Sequence, residues 1–286
     1  MRISAKISFI TFIIVIGFLS CHKIENTTEN SSLNKEIERK VDSVLNLMTL
    51  EEKIGQTVQY SVGGTLTGPG SSSSSRDKHE KIKKGEVGSL LNVVSVARVR
   101  EMQELVMENS RLKIPLIFAY DVIHGLKTIF PIPLGESASW DLDLMKQSAA
   151  IAAKESAASG LNWTFAPMID VSRDARWGRI MEGAGEDPYL NSVIGVARIQ
   201  GFQGDDLADN NTIAACAKHF AGYGFAEAGR EYSAVTVGEF ELHNMILPPF
   251  KAAAKAGVAT FMNSFNDIDG IPATGHRELQ RDILKG

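Results

Sequence analysis

The chain has 286 residues, 44% of them hydrophobic, and a formal net charge of −4. That length supports one large core or two small ones, and without a basic field nucleic acid is excluded as a partner. The two cysteines, Cys21 and Cys216, lie far apart with neither CxxC nor Cys/His ligand spacing, so no metal or redox motif is present.

Residues 1–20 read as a signal peptide. Arg2 and Lys6 supply a positive start, and Ile7 to Leu19 an apolar run of the right length. Gly17-Phe18-Leu19-Ser20-Cys21 resembles a bacterial lipoprotein box, which makes Cys21 the candidate lipidation site. Phe18 stands where leucine is usual, and an ordinary signal peptide with an unrelated cysteine is the alternative. Residues 21–34 are polar and suit a flexible tether. The expectation is an exported protein, in the periplasm or attached to the outer membrane, with any acyl anchor holding it to a surface rather than threading it through.

Lys35 to Met48 places Ile37, Val41, Val44, Leu45 and Met48 on one helical face. Thr49 with Glu52 makes a capping-box pattern that opens a second short helix, LEEKIGQ. Ser61 to Ser75 is rich in Gly and Ser and reads as a surface loop, with a lid as the alternative. Beyond it the chain alternates. Strands are predicted at Val87–Val94, Leu116–Tyr120, Trp163–Ala166, Ile213–Ala217 and Val258–Met262, with a weaker one inside Ile129–Leu134. Helices are predicted at Val96–Arg111, Asp141–Ser159, Ser192–Phe202, Thr236–Ala256 and Arg277–Leu284. Thr236 with Glu239 is a second capping-box pattern, Pro248 and Pro249 should kink the helix that contains them, and Pro188 after Asp187 fits a helix start. Cys216, in an Ala-rich apolar run, reads as an inert buried thiol.

Strict alternation of strand and helix means βαβ units and a parallel sheet. The polar residues then fall at the C-terminal ends of the strands: Asp121 and His124, Asp170 and an arginine cluster, Lys218 and His219, and Asn263. In a (β/α) barrel those ends converge on one face, where such enzymes place their sites. A Rossmann fold fits worse, because no GxGxxG follows a strand and opens a helix. The expected fold is α/β, an incomplete (β/α)8 TIM-type barrel, unfinished at its C-terminal side.

The stretch Leu161–Leu190 mixes Trp163, Phe165 and Trp177 with Asp170, Arg173, Asp174, Arg176, Arg179, Glu182, Glu186 and Asp187. Flat rings suit a sugar face and charged forks suit its hydroxyls. The alternative is an ion-pair network bracing a loop. Arg173, Asp174, Arg176, Glu182, Glu186 and Asp187 are assigned to that bracing role, and His124 and Trp177 to packing.

From about Glu36 to Gly286 the chain resembles the N-terminal domain of family 3 glycoside hydrolases, most nearly the bacterial periplasmic β-glucosidases. The resemblance lies in MTLEEKIGQ (Met48–Gln56), IPLIFAYDVIHG (Ile114–Gly125), TIFPIPLGESASWD ending at Asp141, WTFAPMIDVSRDARWGR (Trp163–Arg179), GEDPYL (Glu186–Leu190), KHFAGYG (Lys218–Gly224) and DGIPAT (Asp269–Thr274). It implies a subsite for the non-reducing-end sugar of a β-linked glucoside, lined by Asp121, Arg179, Lys218 and His219. Asp121 would accept from two hydroxyls, while Arg179, Lys218 and the His219 imidazole donate into oxygens.

The resemblance also implies a retaining mechanism, with an aspartate nucleophile and a separate acid/base carboxylate about 5 Å apart, and no cofactor, since that chemistry uses carboxylates and water. The family's nucleophile lies in a G-F-x-G-x-x-x-S-D run after the segment matching Glu278–Gly286, and its acid/base in a second domain. Neither is expected in this chain, and Asp267 and Asp269, in a different motif, do not replace them. The chain is therefore expected to be a truncated part of a β-glucosidase, inactive alone. Alternatives are a β-xylosidase, a β-N-acetylglucosaminidase, or a non-catalytic sugar-binding lipoprotein. Tyr223, standing where KHFPGHG has its last histidine, argues against the second of these.

Overall fold

The computed structural model describes residues 35–62 and 75–286. The signal peptide, the tether, Cys21 and most of the Gly/Ser-rich stretch lie outside the described residues. Two compact units divide between Ile54 and Gly55. In the first, residues 35–47 form helix α1, with Ile37, Val41, Val44 and Leu45 exposed. Helix α2 (Leu50–Gln56) opens on the expected capping box. Thr49 N–H donates to Glu52 Oε2 at 2.9 Å and Glu52 N–H to Thr49 Oγ1 at 3.3 Å, which satisfies two otherwise orphaned donors.

The second unit is built on parallel strands. β1 (Gln59–Ser61), β2 (Ser89–Leu91), β3 (Ile117–Tyr120) and β4 (Trp163–Thr164) form one sheet in chain order. β5 (Cys216–Phe220) pairs in parallel with β6 (Thr260–Asn263). Single parallel bridges, Trp163 to Ala214 and Met168 to Lys218, link the two sheets. Six parallel strands thus follow one another in chain order among the described residues, the arrangement of a (β/α) barrel wall. An antiparallel pair, β7 (Asp267–Ile268) and β8 (Ile271–Pro272), follows β6.

Helices α3 (Ser75–Lys83), α4 (Val96–Asn109), the short α5 (Pro133–Ser137), α6 (Leu142–Ala158) and α7 (Pro188–Gln203) separate the strands. Their starts follow from sequence. Asp141 Oδ1 accepts from Leu144 N–H at 3.0 Å, and Asp187 Oδ1 from Leu190 N–H at 2.6 Å, with Pro188 in the first turn where its missing N–H costs nothing. The helices bury Met102, Val106, Ala149, Ala152, Ala153, Ile199 and Phe202 in one core with Leu90, Phe118 and Phe220 of the strands. Every residue of β5 is buried, as a central parallel strand covered on both faces requires. No helix among the described residues is long and apolar enough to cross a membrane.

Several sequence expectations need correction. β1 was not foreseen, and the Ile129–Leu134 run forms no strand: Ile129 makes one antiparallel bridge to Gly125 and Pro133 starts α5. The other strands are shorter or shifted, as at Cys216–Phe220 where Ile213–Ala217 is predicted. Thr236 caps nothing; its hydroxyl bonds Glu227 Oε1 at 3.1 Å, and the chain becomes helical only at α8 (Glu239–Glu241). A π-helical turn, Leu242–Ile246, then leads into α9 (Leu247–Lys255). The wider turn sits just ahead of Pro248 and Pro249, which lack the N–H groups an α-helix would use there. The last predicted helix is also π-helical, at Glu278–Ile283.

Candidate functional site

Asp121 directly follows β3, Asp170 and Arg179 lie between β4 and α7, and Lys218 and His219 lie within β5. The register of β5 against β6 slips here: Lys218 pairs with Met262 and Phe220 with Asn263, leaving His219 as an extra residue. Such a bulge breaks the alternation of side chains, and both neighbours reach polar partners from earlier strand ends. Lys218 Nζ donates to Asp121 Oδ1 at 3.0 Å, the lysine side chain buried and the aspartate 19% exposed. Asp170 Oδ2 accepts from the His219 backbone N–H at 2.9 Å and lies 2.8 Å from His219 Nδ1. Both Asp170 and His219 are buried, and Asp170 Oδ1 makes no hydrogen bond among the described residues.

Arg179 turns its fork on Glu182, Nε to Oε1 at 2.6 Å and a terminal nitrogen to Oε2 at 2.8 Å. Its guanidinium stands 5.5 Å from the centroid of the Tyr223 ring. Beneath, Glu231 joins two rings: the Tyr223 hydroxyl donates to Oε1 in a short hydrogen bond, and Trp177 Nε1 donates to Oε2 at 2.8 Å. The Tyr223 loop lies close against the segment carrying Asp170. A Cβ on Gly224 would stand 2.2 Å from the Val171 carbonyl oxygen, so only glycine fits. Phe265 packs against His219 and Tyr223, with centroids 5.2 and 5.4 Å away, and the exposed Tyr232 stands 5.8 Å from Phe265.

The charges act on one another across the cluster. Burial raises the pKa of Glu182, but the Arg179 hydrogen bonds and charge, and then Lys218 and His219, outweigh it and hold the carboxyl below its ordinary value. Burial lowers the Arg179 pKa, yet Glu182, with Asp170 and Tyr223, holds it above its usual range. Burial lowers the His219 pKa; Asp170 pulls it upward, and Lys218 and Arg179 push it down again, so the imidazole stays neutral at neutral pH. The Tyr223 hydroxyl is pushed up, first by burial and then by Glu231.

The structure thus brings Lys218 to Asp121 directly, and Arg179 and His219 into the same field through Asp170, Glu182 and Tyr223. Sequence reasoning placed Asp170 on the strand-end face without a specific role, and gave Tyr223, Glu231 and Phe265 no place in the site. Asp170 carried a usable signal, being a carboxylate between apolar Ile169 and Val171, which must find a partner when buried. Three of the expected ion pairs are present: Arg176 with Asp174 at 2.6 Å, Arg173 with Glu241 at 3.5 Å, and Glu182 with Arg179 at 2.6 Å. The Asp174 carboxyl is drawn down to about 2 by its Arg176 hydrogen bonds. Two others are corrected. Glu186 makes no ion pair among the described residues, and Asp187 is a helix cap rather than an ion-pair partner. Trp177 is buried and His124 Nδ1 lies 3.1 Å from the Phe130 carbonyl oxygen, both in structural positions. Cys216 is buried, which pushes its thiol up to about 11 and leaves it inert.

Among the described residues no group of three or more His, Cys, Asp or Glu is placed to hold a metal ion. A cavity of about 610 Å³, lined by His79, Asn92, Arg98, Tyr120 and Lys127 among others, includes none of the four expected residues. Chemically, the cluster offers ammonium and guanidinium donors, carboxylate acceptors and aromatic edges side by side. These are the elements that recognise a polyhydroxylated ring.

Residues 49–286 match the glycosyl hydrolase family 3 N terminal domain. A periplasmic beta-glucosidase of Salmonella typhimurium is 43% identical over 262 residues, covering 91% of this chain and 33% of that protein. A putative beta-xylosidase of Formosa agariphila is 33% identical over 295 residues, covering 96% of this chain and 39% of that protein. The crystal structure of a beta-glucosidase from Listeria innocua in complex with isofagomine aligns with a TM-score of 0.80 at 42% identity, over 87% of this chain and 35% of that one. The chain thus spans 33 to 39% of the length of these relatives.

Proposed function

The chain belongs to glycosyl hydrolase family 3, and from that premise we propose that it forms the sugar-holding part of a β-glucosidase that releases terminal β-D-glucosyl residues with retention. Asp121, Arg179, Lys218 and His219 hold the non-reducing-end glucose. The observation that carries this is the pair of buried Lys218 with half-buried Asp121, set in one field with Arg179 and His219. A retaining reaction needs a free carboxylate nucleophile and a proton-bearing partner. Asp121, Asp170 and Glu182 are each engaged by a cation or by His219, which suits binding, so none of them is assigned either catalytic role.

A β-xylosidase is the second reading, favoured by the Formosa relative that covers nearly the whole chain. Titration calorimetry of this chain separates them: glucose binds with saturation and more tightly than xylose, and Asp121→Asn weakens it at least tenfold. A chain that binds neither sugar overturns both. In a protein carrying this chain, faster hydrolysis of nitrophenyl β-glucoside than of the β-xyloside is expected. For location, the periplasmic relative and the residues 1–20 support export, and Cys21 is the proposed lipid attachment point. Cys21→Ala then moves the expressed protein from the membrane to the soluble fraction.

A further inference from the structure

We propose that Asp170 is a positioning residue for His219, fixing the imidazole as the Nδ1–H tautomer so that Nε2 offers its lone pair to a hydroxyl of the bound sugar. The inference rests on the sugar-binding reading above. An ionised carboxylate only accepts hydrogen bonds, so the His219 nitrogen 2.8 Å from Asp170 Oδ2 must carry the proton. The same oxygen accepts the His219 backbone N–H, which ties ring and main chain to one atom. Oδ1 bonds nothing else among the described residues, so the hydrogen bonding of Asp170 goes to His219 alone. Both side chains are only 1% exposed, and water cannot compete for either contact.

Burial, reinforced by Lys218 and Arg179, keeps the ring from taking a second proton despite Asp170. With one proton held at Nδ1, Nε2 is an acceptor. Under this proposal His219 takes an acceptor role in place of the donor role expected from sequence. Lys218 and Arg179 can only donate, Glu182 has both oxygens on the Arg179 fork, and Lys218 takes one oxygen of Asp121, so Nε2 joins Asp121 as an acceptor for sugar protons. A sugar hydroxyl must give its own proton as well as receive one. The opposite tautomer would set a nitrogen lone pair against the Asp170 carboxylate and add a third donor beside Lys218 and Arg179.

Nitrogen-15 NMR of the histidine-labelled 286-residue chain tests this. In the wild type, His219 is expected to show a protonated Nδ1 and a bare Nε2, and added glucose shifts the Nε2 signal. Asp170→Asn, nearly isosteric, is expected to lose the single tautomer and to weaken glucose binding by about tenfold, with its melting temperature little changed. Two results overturn the proposal alone: glucose bound by a wild type whose Nε2 carries the proton, or Asp170→Asn binding glucose as tightly as the wild type. A wild type with the expected tautomer that binds no glucose overturns the sugar-binding reading and the ligand half of this proposal together. The wild-type spectrum decides the tautomer even if the variant fails to fold.

Discussion

Lys218 Nζ and Asp121 Oδ1 meet at 3.0 Å across 97 residues of sequence, joining the middle of β5 to the end of β3. One strand, β4, stands between β3 and β5 in chain order, paired with β3 and bridged at Trp163 to Ala214 ahead of β5, so the pair reports that the strand ends converge. It also leaves a pre-charged spot: a donor and an acceptor already held together where a ligand hydroxyl can bridge them.

Breaking this pair is costly because Lys218 has almost no access to water. Asp121→Asn leaves the buried Lys218 ammonium without its carboxylate and is expected to lower stability by about 3 kcal/mol. Adding Lys218→Met to it costs less than the sum of the two single changes, by about 1 kcal/mol. Urea denaturation of the four proteins of the cycle measures both.

The His219 pKa is lowered in the fold, while in the unfolded chain it lies near 6.5. As pH falls below that value the unfolded chain takes up a proton that the folded chain refuses. Stability is therefore fully present above the unfolded value and is lost on acidification, by at most about 1.4 kcal/mol per pH unit for this one group. Urea midpoints at pH 7 and pH 5 are expected to differ more for the wild type than for His219→Asn, and taking the difference between the proteins cancels the carboxylates.

Arg198 braces the segment behind Asp121. It pairs with Glu136 at 2.8 Å, both nearly buried, and donates to the Ile123 carbonyl in a short hydrogen bond. Arg198→Met strands the Glu136 charge and is expected to cost about 3–5 kcal/mol, with part recovered when Glu136→Gln is added. Thermal melting of the wild type and these two variants checks this.

Gly224→Ala would drive a methyl into the Val171 carbonyl across a contact in which Arg173 N–H donates to Gly224 O at 2.9 Å. A loss of about 1–3 kcal/mol is expected, along with displacement of Tyr223 from beneath Arg179. A crystal structure of the variant, with its melting temperature, measures both effects.

The barrel was legible in sequence because short apolar parallel strands alternate with longer helical stretches, and all five strong strand predictions overlap observed strands. Ile213–Ala217 meets β5 only at Cys216 and Ala217, because the polar Lys218 and His219 belong to the strand. β1 was missed since three half-buried residues, one of them Gln59, leave little periodicity. The two capping-box patterns are identical in kind, yet only Thr49 caps. Thr236 has Glu227 within reach, a tertiary partner that local spacing cannot show. The same limit hid Asp170 and Glu231, whose roles depend on His219, Tyr223 and Trp177 arriving from other segments.

The most direct measurement is a crystal structure of this chain soaked with glucose. The account predicts one sugar with hydroxyl oxygens within about 3.2 Å of Asp121, Arg179, Lys218 and His219 together. A sugar seated away from Asp121 and Lys218, or touching them while Arg179 and His219 face elsewhere, would contradict it.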